Sequence, residues 1–254
     1  MKFDLAISTK YGISEEKLEM AKRLIPVNKV LIDTSRPLGL SRQRLAERVT
    51  TPWFYYFDDD ITLFEGFHQS MTRHMADDVG MIYPNVHAYF GEEHKWITDY
   101  EDSVAFIRRW LRRPDVAEKR AFAGATLVQT EAMRQILMPP VARVEDYWMQ
   151  KEMKRLGYRV IYAKEILVEH NSSVKRLNRI YEIAWEEGYC MAYLDYVSRR
   201  RLYIAWLMTY PKSILAFLRT GNRKVFQYIG LYRLKLKGYD DQKAGPRRAH
   251  NPIP

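Results

Sequence analysis

The stretch Trp53-Phe54-Tyr55-Tyr56-Phe57-Asp58-Asp59-Asp60 decides the fold, because five aromatic residues run directly into three carboxylates. A short, continuous apolar run predicts a strand, which here ends in the acidic triplet. Neighbouring carboxylates repel one another at low effective dielectric, so we expect a positive charge beside them, and a divalent metal is the first candidate. In an extended chain Asp58 and Asp60 point to one face and Asp59 to the other. An acidic turn before the next helix is the alternative interpretation.

The composition predicts a globular protein with a full core, since 47% of the 254 residues are hydrophobic. The single cysteine, Cys190, excludes an internal disulfide framework and a CxxC-type zinc site, and it favours a cytoplasmic location. The first eight residues do not resemble a signal peptide. The longest apolar run, residues 202–218, contains Pro211 and Lys212, so we expect no transmembrane helix.

The net charge of +10 is unevenly distributed along the chain. Residues 1–174 contain 25 Lys and Arg against 25 Asp and Glu, whereas residues 175–254 contain 16 against 6. The sequence therefore predicts a neutral domain over residues 1–174 and a basic, helical C-terminal segment over residues 175–254.

Strands and helices alternate through the first domain, which predicts an α/β fold. Its opening is a βαβ pattern, with strands at 3–8, 29–33 and 53–57 and helices at 14–24 and 41–48, the latter with Ser41 as N-cap. Farther along we expect helices at 65–76, 103–112 and 144–156, and strands at 79–83 (stopped by Pro84), 121–128, 159–162 and 166–170.

Several polar residues stand where such a fold binds ligands, although each also has a structural explanation. Glu145 and Asp146 open a helix, where the macrodipole alone favours carboxylates. Asp33 ends the second strand, outside which α/β folds bind ligands, and Arg42 is expected near the same edge. The alternatives are a turn residue for Asp33 and a solvated helix face for Arg42.

Four motifs in this order resemble those of the family 2 glycosyltransferases of the GT-A fold. They are Ser41-Arg42-Gln43-Arg44, whose Arg42 precedes Asp58 by 16 residues, the acidic triplet, Glu145-Asp146, and Gly157-Tyr158-Arg159-Val160 followed by His170. The resemblance covers roughly residues 3–172. It implies a Rossmann-like, mixed and mostly parallel sheet flanked by helices, and inverting transfer of a sugar from a nucleotide-diphosphate sugar, UDP- or GDP-linked, with Mn²⁺ or Mg²⁺. Gln43 and Leu45 depart from the family pattern, which often has Asn and Gly there.

The resemblance also implies roles for individual residues. A hard cation held by carboxylates neutralises charge on a leaving diphosphate, and a carboxylate base must take the proton of the acceptor hydroxyl. The metal ligands would be Asp58, Asp60 and His170, and the base would be Asp146 with Glu145 orienting it or the acceptor. Contacts to the donor would come from Thr9, Asp33, Arg42, Asp58, Asp59 and Gly124. For His170, a diphosphate contact or a purely structural strand-end histidine is the alternative, and for Gly124, easier packing.

The C-terminal segment mixes aromatic and aliphatic residues with Arg and Lys at helical spacing, as in residues 199–208. Such a segment can lie in a membrane interface, or it can pack as a helical cap. The expected acceptor is a glycan or a lipid-linked hydroxyl, and membrane contact would suit the lipid-linked one. Nucleic acid is not an expected partner, because no nucleic-acid-binding motif is present. Two other functions remain open: a non-catalytic, membrane-associated scaffold with the same fold, and metal-dependent phosphoryl transfer or nuclease action.

Overall fold

The computed structural model describes residues 1–89, 91–110, 124–171 and 177–245. In these residues the chain forms seven strands and ten α-helices. The strands are β1 (Phe3–Ser8), β2 (Val27–Asp33), β3 (Trp53–Phe57), β4 (Ile61–Thr62), β5 (Val79–Tyr89), β6 (Ala125–Gln129) and β7 (Arg159–Asn171). The helices are α1 (Glu15–Leu24), α2 (Leu38–Arg48), α3 (Phe67–Thr72), α4 (Lys95–Trp110), α5 (Thr130–Arg134), α6 (Glu145–Arg155), α7 (Leu177–Tyr193), α8 (Arg199–Leu207), α9 (Thr209–Thr220) and α10 (Gln227–Lys243).

The chain divides into two compact units. The first comprises Met1–Ala88 and Val116–Asn171, and the second comprises Tyr89–Asp115 and Ser172–Pro254. The second unit therefore includes α4 in addition to the C-terminal helices, whereas the sequence assigned all residues up to 174 to the first domain. Charge could not reveal this division, because residues 89–115 carry acidic and basic residues in similar numbers.

The first unit is built on one mixed sheet with the strand order β2-β1-β3-β6-β5-β7-β4. Strands β2, β1 and β3 are parallel, and the pairs β3–β6, β6–β5 and β7–β4 are antiparallel. The expected α/β fold with a mixed sheet is confirmed, and the parallel share of the sheet is smaller than predicted. The parallel strands are those of the βαβ opening, which the sequence pattern identified most clearly.

Strand β3 lies at the centre of the first unit and is buried on both faces. Trp53, Tyr55 and Phe57 belong to one hydrophobic cluster, and Phe54 and Tyr56 belong to another. This alternation follows from the two-residue period of a strand. The aromatic run therefore packs against the helices on both faces of the sheet.

Two strand boundaries were wrong in the sequence-based assignment. Strand β5 continues through Pro84, because its pairs with β6 are at Met81 and Ile82, before the residue that lacks an N–H. Strand β7 is one strand rather than two, since it runs without a break from Arg159 to Asn171. The short strand β4 was not predicted, because a strand of two residues is too short to show an alternation of apolar and polar side chains.

The start of α2 also differs from the expectation. The helix begins at Leu38 after Pro37, so Ser41 lies inside it and does not cap it. The Ser41 hydroxyl is instead buried, with its Oγ 2.7 Å from Oγ of Ser8 at the end of β1. The expected helix 103–112 and strand 121–128 lie partly outside the described residues, and their described parts belong to α4 and β6.

The second unit is helical and has its own core. Trp96 and Tyr100 of α4 pack with Tyr228 of α10, and the Tyr100 and Tyr228 rings stack with centroids 3.7 Å apart. Helices α7 and α10 approach closely at Gly188 and Gly238. None of the described helices is both long enough and apolar enough to cross a bilayer.

We expect Gly238→Ala to destabilise the second unit by about 1–3 kcal/mol, the usual cost of overpacking. A Cβ at this position would lie 2.1 Å from the backbone oxygen of Trp185, which cannot move without separating α7 from α10. Gly230→Ala in the same helix is the matched control, because no atom lies within 4 Å of its added Cβ and alanine favours helix. Thermal unfolding followed by circular dichroism compares the two. Equal melting temperatures for both variants would contradict this packing.

Candidate active site

The ends of three strands bring the acidic triplet together with the other polar residues of the first unit. Ser8 of β1 pairs with Asp33 of β2, and Ile7 pairs with Phe57 of β3. The parallel strands therefore end at one edge of the sheet, where α/β folds bind their ligands. On the other side of β3, the Asp58 backbone N–H donates to the carbonyl of Gly124, 2.8 Å away. Gly124 thus lies beside the triplet.

Arg42 connects the acidic triplet to the acidic start of α6. Its side chain is only 2% exposed; Nη2 donates to Asp58 Oδ1 at 3.1 Å, and Nε donates to Glu145 Oε1 at 3.2 Å. The guanidinium also lies 5.0 Å from the centroid of the Tyr56 ring, whose hydroxyl donates to the Arg42 carbonyl at 2.7 Å. The positive charge that the triplet required is therefore supplied, at Asp58, by a buried arginine. The solvated-helix-face alternative for Arg42 is excluded by this burial.

Burial changes the protonation of both carboxyls that face Arg42. Burial raises the pKa of Glu145 to about 7, even though the Arg42 charge opposes the shift. Burial likewise raises the pKa of Asp58; Arg42 opposes this, and the neighbouring Asp60 adds to it. In both cases the Arg42 charge favours the ionised form of the carboxyl in a poorly solvated place.

Pairing between β4 and β7 places His170 beside Asp60. Ile61 pairs with His170, and the histidine Nε2 lies 2.9 Å from Asp60 Oδ2. Burial lowers the pKa of His170, but the hydrogen bond and charge of Asp60 outweigh it, so the pKa lies above its ordinary value. The other carboxylate oxygen, Asp60 Oδ1, is buried and has no hydrogen-bond partner among the described residues. An unpartnered buried oxygen next to two further carboxylates is where a cation would bind.

The third carboxylate, Asp59, faces a different partner. Thr9 Oγ1 donates to Asp59 Oδ2 at 2.6 Å, and the Thr9 backbone N–H donates to the carbonyl of Asp33 at 3.2 Å. Asp59 therefore holds the loop after β1 against the acidic triplet. The sequence placed Thr9 and Asp59 among the donor contacts but gave no sign of this pair, because 50 residues separate them.

Asp33 is held in place by two residues that the sequence analysis did not assign to it. Its Oδ2 accepts from Arg44 Nε at 2.9 Å, and its Oδ1 accepts from the Ser35 backbone N–H at 2.8 Å. Burial raises the pKa of Asp33, but the hydrogen bonds from Arg44 and Ser35 more than offset this, and the pKa lies below its ordinary value. Asp33 is therefore a fixed, ionised carboxylate at the end of β2.

Asp146 lies in the first turn of α6, two residues after a strained residue. Val144 has φ 66° and ψ 15°, a left-handed conformation that β-branched residues rarely adopt. Asp146 is 8% exposed, and its Oδ1 accepts from the Tyr147 backbone N–H at 2.7 Å. Backbone strain of this kind concentrates at functional sites. The left-handed conformation of Val144 directs the chain so that Glu145 contacts Arg42, and Asp146 comes next in the same turn of α6.

The three predicted metal ligands do not form a ready three-ligand centre. Among the described residues, no group of three or more His, Cys, Asp or Glu side chains is placed to hold a metal ion. The side chains already have protein partners, since Arg42 contacts both carboxylate oxygens of Asp58 and His170 forms a hydrogen bond with Asp60. The residues nevertheless fit a Mg²⁺ or Mn²⁺ site of one or two carboxylates, because Mg²⁺ keeps several waters and takes substrate phosphate oxygens as further ligands.

Comparisons with known proteins identify the fold. No family model matches the chain, and no curated protein is significantly similar to it in sequence. The mannosyltransferase PcManGT from Pyrobaculum calidifontis, solved with GDP-Man and Mn²⁺, matches over 95% of this chain and 87% of its own, with a TM-score of 0.58 and 9% identity. Glucosyl-3-phosphoglycerate synthase from Mycobacterium tuberculosis, solved with Mn²⁺ and UDP-glucose, matches over 76% and 77%, with a TM-score of 0.49 and 12% identity. The chain thus has the mixed α/β fold of GT-A-like glycosyltransferases.

Proposed function

We propose that this protein is an inverting glycosyltransferase that moves a sugar from a nucleotide-diphosphate sugar to an acceptor hydroxyl. The observation that carries the proposal is the buried Arg42, which contacts both Asp58 after β3 and Glu145 at the start of α6. Two acidic groups that stand 87 residues apart in the sequence therefore belong to one site. One group is suited to the donor phosphates and the other to the acceptor.

On the donor side, Asp58 and Asp60 would hold a divalent cation, with His170 as a further ligand or a contact to the diphosphate. The cation, when bound, supplies positive charge that stabilises the leaving nucleoside diphosphate. His170 fixes the orientation of the Asp60 carboxylate, and the Thr9–Asp59 hydrogen bond fixes the loop after β1. Donor contacts by Thr9, Asp33, Asp59 and Gly124 remain proposals.

On the acceptor side, Asp146 is the proposed base. The acceptor oxygen attacks the anomeric carbon as its proton passes to the Asp146 carboxylate, and the bond from the anomeric carbon to the diphosphate oxygen breaks in the same displacement. Glu145 cannot take this role while it is bonded to Arg42, so we assign it to positioning the first turn of α6. Arg42 is likewise a positioning residue in this proposal and not a direct nucleotide contact.

Similarity of fold supports the proposal, since PcManGT has this fold and was solved with GDP-Man and Mn²⁺. Membership of glycosyltransferase family 2 rests on the four sequence motifs. The proposed acceptor is a glycan or a lipid-linked hydroxyl. A lipid-linked acceptor would suit peripheral contact of the C-terminal segment with the cytoplasmic face of a membrane.

A thermal-shift screen of UDP- and GDP-sugars, each with and without Mn²⁺, tests the proposal. We expect at least one donor to raise the melting temperature only when the metal is present. A ligand at 100 times its dissociation constant adds about 2.7 kcal/mol of stability. If no donor shifts the unfolding transition under any metal condition, the enzyme assignment is contradicted and the non-catalytic scaffold becomes the better account.

A further inference from the structure

Helix α9 in the second unit presents most of its large apolar side chains to solvent and its small ones to the core; Phe217, which packs against the core of this unit, is the exception. The buried residues of α9 are Thr209, Ser213 and Ala216. Leu218 and Ile214 of the same helix are 73% and 51% exposed. An amphipathic helix that packs only against its own protein core turns its large apolar residues toward that core. The outward face of α9 therefore has the composition of a face that contacts a second apolar surface.

Helix α8 extends this face. The rings of Tyr203 and Trp206 lie 5.5 Å apart, and the Trp206 ring lies 5.8 Å from the ring of Tyr210 in α9. Aromatic contact therefore joins the two helices. We call the resulting patch the α8–α9 surface, and its members are the exposed residues Tyr203, Ile204, Leu207, Met208, Tyr210, Ile214, Leu215 and Leu218. Single exposed apolar residues are common on protein surfaces, whereas a patch of many exposed apolar side chains marks an interaction site.

Positive charge dominates the stretch of sequence that carries this surface. Residues 196–239 contain ten Lys and Arg and no Asp or Glu. Arg199 pairs with Asp240 and Lys235 pairs with Glu187. In the described part of the chain, no carboxylate pairs with the exposed Arg200 or Arg201 at the start of α8. An apolar face bordered by unneutralised arginines is complementary to a surface that is apolar inside and anionic at its rim.

We propose that the α8–α9 surface docks on an anionic lipid membrane, with its aliphatic side chains at the acyl boundary and its arginines at the headgroups. This makes specific the membrane contact proposed for the C-terminal segment, and it does not depend on the transfer chemistry. Interfacial helices combine such a face with Lys and Arg, and Tyr and Trp favour the headgroup level. A second copy of the chain is the poorer occupant, because a symmetric contact would bring two strongly basic rims together.

Co-sedimentation of the full chain with vesicles tests the docking. We expect binding to vesicles of phosphatidylcholine mixed with phosphatidylglycerol, weaker binding to phosphatidylcholine alone, and a decrease as salt rises. The double variant Ile214→Glu with Leu218→Glu should lose at least about tenfold in affinity, since two charges would enter the apolar boundary. Arg200→Gln with Arg201→Gln should weaken binding only to the anionic vesicles.

Leu137→Glu is the matched control, because Leu137 is an equally exposed apolar residue, at 77%, in the other unit. It should bind vesicles as the wild type does. Circular dichroism melts and the donor-dependent thermal shift, measured on the same variants, separate loss of docking from loss of fold or of donor binding. Equal vesicle binding by the wild type and the Ile214→Glu, Leu218→Glu variant would overturn the proposal. So would a dimer in light scattering that this variant dissociates, if vesicles do not bind.

Discussion

Arg42→Met is expected to destabilise the protein by about 3–5 kcal/mol at neutral pH, the range found when one partner of a buried ion pair is removed. Methionine fills much of the same volume, so the loss comes from charge. Glu145 and Asp58 would remain buried without the guanidinium that faces them. Chemical denaturation followed by circular dichroism measures the change.

The loss should depend on pH in a defined direction. Burial already raises the pKa of Glu145 to about 7 in the presence of Arg42, and without Arg42 it must rise further. A folded-state pKa above the unfolded value means that the folded state binds more protons, so stability falls as pH rises through that range. The part of the loss that comes from Glu145 should therefore grow as pH rises above about 7, where the wild-type carboxyl ionises beside Arg42, and should be small near pH 5.

Two further variants separate charge from packing. Arg48→Met at the exposed end of the same helix should cost less than about 1 kcal/mol. Adding Glu145→Gln to Arg42→Met should restore part of the stability lost above pH 7, because it removes a carboxyl that would ionise there without a positive partner. A melting temperature for Arg42→Met that equals the wild-type value at neutral pH would show that Arg42 does not hold the two acidic groups together.

Asp146→Asn should reduce transfer by about 10²–10⁴-fold while leaving donor binding intact, because an amide cannot accept the acceptor proton. The substitution keeps the size of the side chain and an oxygen that can accept from the Tyr147 N–H. The measurement is release of nucleoside diphosphate from a donor found by thermal shift, with an acceptor that supports wild-type turnover. The same thermal shift then reports donor binding by the variant.

Glu152→Gln is the control for this prediction. It makes the same chemical change on the same helix, at a carboxylate that pairs with Arg155. Its transfer rate should match that of the wild type. Near-wild-type transfer by Asp146→Asn would mean that another group is the base.

The sequence predicted the α/β fold because its strongest signals are local. The aromatic run of β3 and the βαβ opening can be read from period and neighbours alone. The need for a positive charge beside the triplet was also local and followed from repulsion among the carboxylates. The residue that supplies this charge could not be predicted locally. Arg42 contacts Asp58 and Glu145, which lie 16 and 103 residues away in the sequence, through packing that no short motif shows.

The missed features share this non-local origin. Asp59 had no assigned partner because Thr9 comes beside it only when β1 and β3 pair. The pairing of Arg44 with Asp33 requires α2 to pack on β2. The second compact unit includes α4 from the middle of the chain, whereas a division by charge could place a boundary only at one point.

Isothermal titration calorimetry of a UDP- or GDP-sugar, with and without Mn²⁺, tests the central claim most directly when the wild type is compared with Asp60→Asn. Asparagine keeps an oxygen near His170 but removes the charge beside the unpartnered, buried Oδ1. The account predicts metal-dependent donor binding by the wild type and none measurable by Asp60→Asn, with unliganded melting temperatures that remain close. Equal donor affinity for the two proteins, or donor binding that is indifferent to the metal, would contradict it.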